Sequence, residues 1–333
     1  MLSTSKLALC EAYDLAMLDL DGVVYIGAAA VPGAAGYIAD ARAAGMRCAF
    51  ITNNASRPPE AVAAHLRELG LAAVADDVVT SAQAASRVLL DRLGPGARVA
   101  LLGGEGLDAA LREVDLVPVG VDHDADAIVT GYGPQVVWGD VMRAAVRIRD
   151  GLWWVATNTD ASIPTPFGVA PGHGVLVETL SRFAGVTPVV AGKPARPLLD
   201  ETARRVGAGQ PLMVGDRLDT DIEGARVVGV DSLLVLTGVT GLPELVAARP
   251  EERPTYIGPD LGALFEVHVV PVGDEGTWRL GGWRCATPQS ILTVAGEGSA
   301  GDWWRVVAAA AWSVLDETGQ VADWSALRPP TSR

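Results

Sequence analysis

The sequence predicts an α/β protein with a doubly wound, parallel-sheet core, an α/β domain inserted into that core and a small α+β unit at its C-terminal end. Three observations lead there. Short apolar runs alternate with helical stretches from residue 15 to residue 236. Between Thr52 and Lys193 lie 140 residues, where a crossover between parallel strands uses roughly 10 to 30. Beyond residue 265 the composition changes: Trp278, Trp283, Trp303, Trp304, Trp312 and Trp324 make up six of the nine tryptophans.

The elements follow in order. Residues 15–20 read as a first strand, and Pro32 opens an alanine-rich helix that Gly45 ends. Residues 46–52 are a second strand. Ser56 is the expected cap of the next helix, whose first turn holds Pro58, Pro59 and Glu60 and whose stop is Gly70. Residues 78–80 suit an edge strand. The insertion reads as strands at 98–102, 127–130 and 152–156 and helices at 107–114, 138–149 and 173–183. The first pattern is expected to resume with a strand at 189–191, a helix at 196–206, a strand at 212–214, a helix from Thr220 and a strand at 232–236. The tail is strand-like at 267–272, 278–285 and 290–294 and helical at 302–317, with 328–333 a loose end. The expected domains are therefore a core of residues 1–80 and 188–265, an α/β cap of residues 81–187 and a C-terminal unit of residues 266–333.

With 333 residues, 49% apolar and 20% charged, the chain can bury more than one core and is not globally disordered. Forty acidic residues against 26 basic ones give a net charge of −14, which opposes non-specific attraction to nucleic acid or to anionic lipid. No apolar run approaches the ~18 residues of a spanning helix. The N-terminal stretch lacks the pattern of a cleaved leader. Cys10, Cys48 and Cys285 are odd in number and form no CxxC pair, so neither a disulfide framework nor a zinc knuckle is expected. A cytoplasmic location fits these features.

Four short motifs carry the chemistry. Asp19-Leu20-Asp21-Gly22 closes the first strand, so its carboxylates leave at the C-terminal sheet edge, where open α/β sheets bind ligands. Two neighbouring carboxylates repel unless a cation or a shared proton relieves them, which suits either a Mg2+ site or a nucleophile with an acid; taken alone, they are equally a solvated turn. Ile51-Thr52-Asn53-Asn54 ends the second strand with a hydroxyl and a run of backbone N–H groups ahead of a helix, although Asn-Asn is also ordinary turn composition. Gly192-Lys193-Pro194 places an ammonium at another strand end without the pattern of a nucleotide-binding P-loop. Gly215-Asp216-Arg217-Leu218-Asp219-Thr220-Asp221 follows an apolar strand that delivers Asp216 to the edge reached by Asp19 and Asp21. Asp219 and Asp221 also suit the capping of orphan N–H groups. Four such elements in order, each at a strand end, are better explained together than as four unrelated turns.

Taken together, DLDGVVY, ITNN, GKP and GDRLDTDIEGA resemble the four motifs of the haloacid dehalogenase superfamily of phosphatases. The insertion between the second and third motifs resembles the subclass with an α/β cap, which contains p-nitrophenyl phosphatases, phosphoglycolate and pyridoxal phosphatases and NagD-like nucleotidases. Ten residues between Asp21 and Pro32 leave no room for the other cap position. Within the subclass, the chain and its tail most resemble members that act on glycerol 3-phosphate and carry an acetyltransferase-like unit. The resemblance implies that Asp19 attacks phosphorus, that Asp21 is the general acid and base, and that Mg2+ is held by Asp19, Asp216 and the main-chain carbonyl of Asp21. It also implies that Thr52, the Asn53-Asn54 region and Lys193 bind the phosphoryl oxygens. The partner is then a small phosphorylated metabolite, not nucleic acid or membrane, and a homodimer is one arrangement the subclass admits. The loops at 157–160 and 171–174 are candidates to touch substrate, although a lone histidine flanked by glycines at a helix start, as His173 is, more often caps or faces solvent. A phosphometabolite sensor and a phosphotransferase are the competing readings.

Overall fold

The structure, a computed structural model, describes residues 2–165, 168–207 and 209–330. The chain forms two compact units, one of residues 1–48 with 208–333 and one of residues 49–207.

In the first unit the strands Tyr256–Gly258, Asp231–Val235, Pro211–Gly215 and Leu15–Asp19 lie side by side in that order, every pair parallel. A parallel sheet covered on both faces needs apolar side chains on both, and Leu15, Ala16, Met17 and Leu18 are all buried. Leu18 pairs with Val214, so the two strands reach the sheet edge in step. The helix Ala34–Ala43 starts after Gly33, and Gly45, at φ +95°, turns the chain away beyond its end.

The C-terminal segment of this unit forms a four-stranded antiparallel sheet, Val272–Asp274, Thr277–Leu280, Trp283–Ala286 and Thr293–Gly296, followed by the helix Ala300–Thr318. Ser299 caps that helix by accepting from Asp302 N at 3.1 Å. Trp304, Ala308 and Trp312 are buried, as their four-residue spacing predicts. Their neighbours include Ile222, Leu234, Leu242, Leu245 and Ile257, so helix and parallel sheet share one core. Arg253 and Asp316 form a two-pronged ion pair at 2.7 Å on both oxygens.

In the second unit the strand Arg47–Thr52, which enters at Ala49, pairs parallel with Val78–Thr80. A five-stranded parallel sheet follows in the order Val189–Val190, Trp153–Ala156, Ala127–Thr130, Arg98–Leu102, Val117–Val119. Helices Trp138–Arg149 and His173–Ala184 pack on it through Val141, Ala144, Ile148, Val177 and Leu180.

Several expectations need correction. The helix after the second strand is Pro59–Glu68 with Pro58 at its cap, because the Ser56 N–H and hydroxyl both donate to Asn54 Oδ1 at 2.8 Å and stay in the loop. The strand expected at 189–191 does not resume the first sheet but pairs with Trp153–Ala156. A helix at Ser81–Leu93, a strand at Val117–Val119 and a hairpin of Ser162–Thr165 with Gly168–Pro171 join the pattern. Thr80 caps the first of these in a box with Gln83, a signal obscured because Thr80 is also the last strand residue. The apolar 267–270 is not a strand, and 278–285 divides into two strands around Gly281 at φ +54°. Of the loose end at 328–333, residues 331–333 lie outside the described residues.

Candidate active site

In the first unit, Asp19 is the last residue of its strand and Asp216 follows directly on Pro211–Gly215. Asp216 and Asp221 are fully buried and Asp19 is half-buried. One carboxylate oxygen from each lies within 4.8 Å of the others. Three negative charges this close repel unless a cation offsets them. Their all-oxygen, hard donor set fits Mg2+ or Ca2+ and not a soft metal.

The backbone around Asp216 holds it in place. Val239 N donates to Asp216 Oδ2 at 2.6 Å, Thr240 N donates to the Asp216 carbonyl at 3.1 Å, and the Thr237 hydroxyl donates to the Gly22 carbonyl at 2.5 Å. Gly22, at φ +85°, and Gly238 approach so closely that a Cβ on either would collide with the Asp216 carboxylate. Asp221, suited by its place in the sequence to capping a helix, has a different role. Residues Leu218–Ile222 instead form a wide π-helical turn in which Ile222 N donates to Arg217 O at 3.2 Å. This turn brings Asp221 back under the strand end, where its Oδ2 accepts from Asp216 N at 3.2 Å and Arg217 N at 3.1 Å. The spacing of five from Asp216 was visible; the wide turn that uses it was not.

Asp21 stands apart from this cluster. The strand stops at Asp19, so alternation does not carry over to Asp21, whose side chain is exposed at the head of a turn bonded from Gly22 N to Tyr25 O at 2.8 Å.

Thr52, Asn53, Asn54 and Lys193 belong to the second unit. The Thr52 hydroxyl accepts from Asn54 N at 3.1 Å. Asn53 and Lys193 are locked together across 140 positions of chain: Lys193 N donates to Asn53 Oδ1 at 2.8 Å, and Asn53 Nδ2 donates to Lys193 O at 3.0 Å. Lys193 is 2% exposed. A Cβ at Gly192 would stand 2.6 Å from Asn53 Oδ1, which explains the glycine before the lysine.

In the two candidate substrate loops, Asn158, Asp160 and His173 make hydrogen bonds within the second unit. Asn158 and His173 are buried; Asn158 Nδ2 donates to the Asn53 carbonyl at 2.7 Å, and Asp160 Oδ1 accepts from Asn53 Nδ2 at 2.9 Å. His173 neither caps its helix nor faces solvent. Its ring bonds Asn158 O at 2.8 Å and Thr130 Oγ1 at 3.2 Å, and burial pushes its pKa down to about 4 against the opposing pull of the Asn158 carbonyl.

Known proteins point the same way. The family model of the haloacid dehalogenase-like hydrolases matches residues 16–117, and a second hydrolase-like model of the same superfamily matches residues 190–264. The chain belongs to the haloacid dehalogenase-like hydrolases. It is similar to the D-glycerol 3-phosphate phosphatase of Mycobacterium tuberculosis, with 41% identity over 316 residues, covering 92% of this chain and 87% of that protein. The acid sugar phosphatase of Staphylococcus aureus is 36% identical over 75% of this chain and 95% of its own length. Among solved structures, the magnesium complex of the Mycobacterium tuberculosis glycerol phosphate phosphatase superposes with a TM-score of 0.84 at 41% identity, covering 92% of each chain. The 4-nitrophenylphosphatase of Thermotoga maritima gives 0.71 at 28% identity, covering 77% of this chain and 97% of its own.

Proposed function

We propose that the protein is a Mg2+-dependent phosphomonoester hydrolase that works through an aspartyl-phosphate on a small phosphorylated metabolite, with glycerol 3-phosphate the foremost substrate. The convergence of Asp19, Asp216 and Asp221 within 4.8 Å is the observation that carries the reading. Similarity to D-glycerol 3-phosphate phosphatase along nearly the whole chain supports the choice of substrate.

In this mechanism an Asp19 carboxylate oxygen attacks phosphorus, forming the acyl phosphate as the bond to the ester oxygen breaks. Asp21, exposed and two residues from the nucleophile, gives its proton to the leaving alkoxide and is left as a carboxylate. Asp21 next takes a proton from water as that water attacks phosphorus, releasing inorganic phosphate and restoring Asp19. Asp19, Asp216, Asp221 and the main-chain carbonyl of Asp21 would hold Mg2+, which when bound offsets their repulsion and the charge of the phosphoryl group. Thr52, Asn53, Asn54 and Lys193 are assigned the remaining phosphoryl oxygens. The chain is organised for this as a catalytic core, an α/β cap whose sheet runs on to Val190, and a C-terminal unit.

No helix among the described residues is long and apolar enough to cross a membrane. A cytoplasmic site of action is part of the proposal, as is a place in glycerophospholipid metabolism, which the similarity to D-glycerol 3-phosphate phosphatase supports. A homodimer is open to sizing in solution. The deciding experiment measures phosphate release from glycerol 3-phosphate, 2-phosphoglycolate, pyridoxal phosphate, nucleotides and sugar phosphates with Mg2+ and with chelator. Mg2+-dependent release, greatest for glycerol 3-phosphate, is expected. Phosphate release from none of them would sink the hydrolase reading, and a better ester would replace the substrate.

A further inference from the structure

His173 is a buried imidazole with both ring nitrogens bonded inside the second unit, and the bonds around it fix its proton. Trp154 Nε1–H donates to Thr130 Oγ1 at 3.0 Å. Thr130 Oγ1 also lies 3.2 Å from His173 Nε2. The Asn158 carbonyl, 2.8 Å from Nδ1, can only accept, so the proton of the neutral ring sits on Nδ1 and Nε2 accepts from the Thr130 hydroxyl. The series does not end there. The Asn158 side chain donates to the Asn53 carbonyl at 2.7 Å, where the Ser81 hydroxyl also donates at 2.5 Å, and the Asn53 amide grips the peptide of Lys193 on both sides. Trp154, Thr130, Asn158, Ser81 and Lys193 all lie below 5% exposure, so solvent does not readily replace a lost partner.

We infer that His173 is a positioning residue for phosphate binding, holding Asn158 so that Asn53 fixes the loop from which the Lys193 ammonium extends. The inference rests on the phosphatase reading for its role in turnover, but its core is the binding of a phosphate dianion, which can be measured without turnover. In a merely structural role, His173 would support the fold and leave the phosphate constant alone.

The experiment uses the full chain with Mg2+. His173→Leu fills the space and removes both hydrogen bonds. His173→Asn keeps a donor at the position of Nδ1. The readouts are KM for p-nitrophenyl phosphate, competitive inhibition by inorganic phosphate, and direct calorimetry with inorganic phosphate. For His173→Leu, KM and the phosphate constants are expected to rise together by about five- to tenfold, the size of one good hydrogen bond, while kcat changes less. His173→Asn should recover most of the loss. Phosphate constants within twofold of wild type in His173→Leu overturn the inference, as does His173→Asn being as impaired as His173→Leu. If His173→Leu is insoluble, Thr130→Val makes the same test, with a two- to fivefold rise supporting the inference and no change overturning it. A wild-type protein that binds phosphate but hydrolyses no ester fails the proposed function alone, and calorimetry still decides His173.

Discussion

Asp221 shows how a residue's type fixes its chemistry while the turn around it fixes its role. Buried beside Asp19 and Asp216, it has two amide donors on one oxygen. Asp221→Asn should raise the Mg2+ concentration for half-maximal activity by about 10- to 100-fold, measured by Mg2+ titration of phosphate release; an unchanged midpoint would remove Asp221 from the ion's surroundings. Asp19→Asn keeps the volume and removes the nucleophile, so turnover should disappear while thermal unfolding stays close to wild type. Asp21→Asn should slow hydrolysis of an alkyl phosphate by about 100-fold or more and an activated nitrophenyl ester by less, since a good leaving group needs little help from an acid. Equal losses on both esters would mean that Asp21 is not the proton donor. At this scale the strand-end motifs made legible the convergence of Asp19 and Asp216. The partners of Asp221, Asn158 and His173 were hidden, since they lie across a wide turn or at positions far away in the chain.

Elements were legible wherever local signals stood alone. Most parallel strands announced themselves as apolar runs, Val117–Val119 and Tyr256–Gly258 excepted, and the helix Ala300–Thr318 through its four-residue tryptophan stripe. Signals that did two jobs at once were misread. Thr80 ends a strand and caps a helix, while Ser56, a good cap by composition, is held by Asn54. Val189–Val190 has the composition of any buried strand, and nothing local says which sheet it joins. Helix Ala300–Thr318 is held by more than its apolar face: Trp312 Nε1–H donates to Leu245 O at 2.8 Å, and Arg305 donates to Ile257 O at 3.0 Å and to Glu266 at 2.8 Å. Trp312→Ala is expected to lower unfolding free energy by about 3–5 kcal/mol, read from the urea midpoint at constant slope. A loss below about 1 kcal/mol would place Trp312 outside the shared core.

On the scale of the molecule, acid should act through two buried histidines. Burial is the leading cause that depresses both His173 and His268 to about 4, with the Arg305 charge adding to it at His268. Each stays neutral in the folded chain while the unfolded chain takes up protons below its ordinary value of 6.5. Stability is therefore full above about pH 6.5 and falls progressively toward pH 4. His173→Leu should flatten this fall in a melting series from pH 7.5 to 4.5, and an equally steep series would argue against a neutral buried ring. Removing residues 266–333 takes away the tryptophan-rich half of a core that the parallel sheet also lines, so the shortened chain is expected to be insoluble. A soluble and active product would make the tail an accessory. The division into two units also bears on synthesis. Residues 49–207 are contiguous and can fold as soon as they leave the ribosome. Residues 1–48 emerge first, yet the apolar strand Leu15–Asp19 must wait for its partner Pro211–Gly215 in the same unit. During translation the residue assigned as nucleophile is thus among the earliest made and idle until the strand that carries Asp216 has followed it.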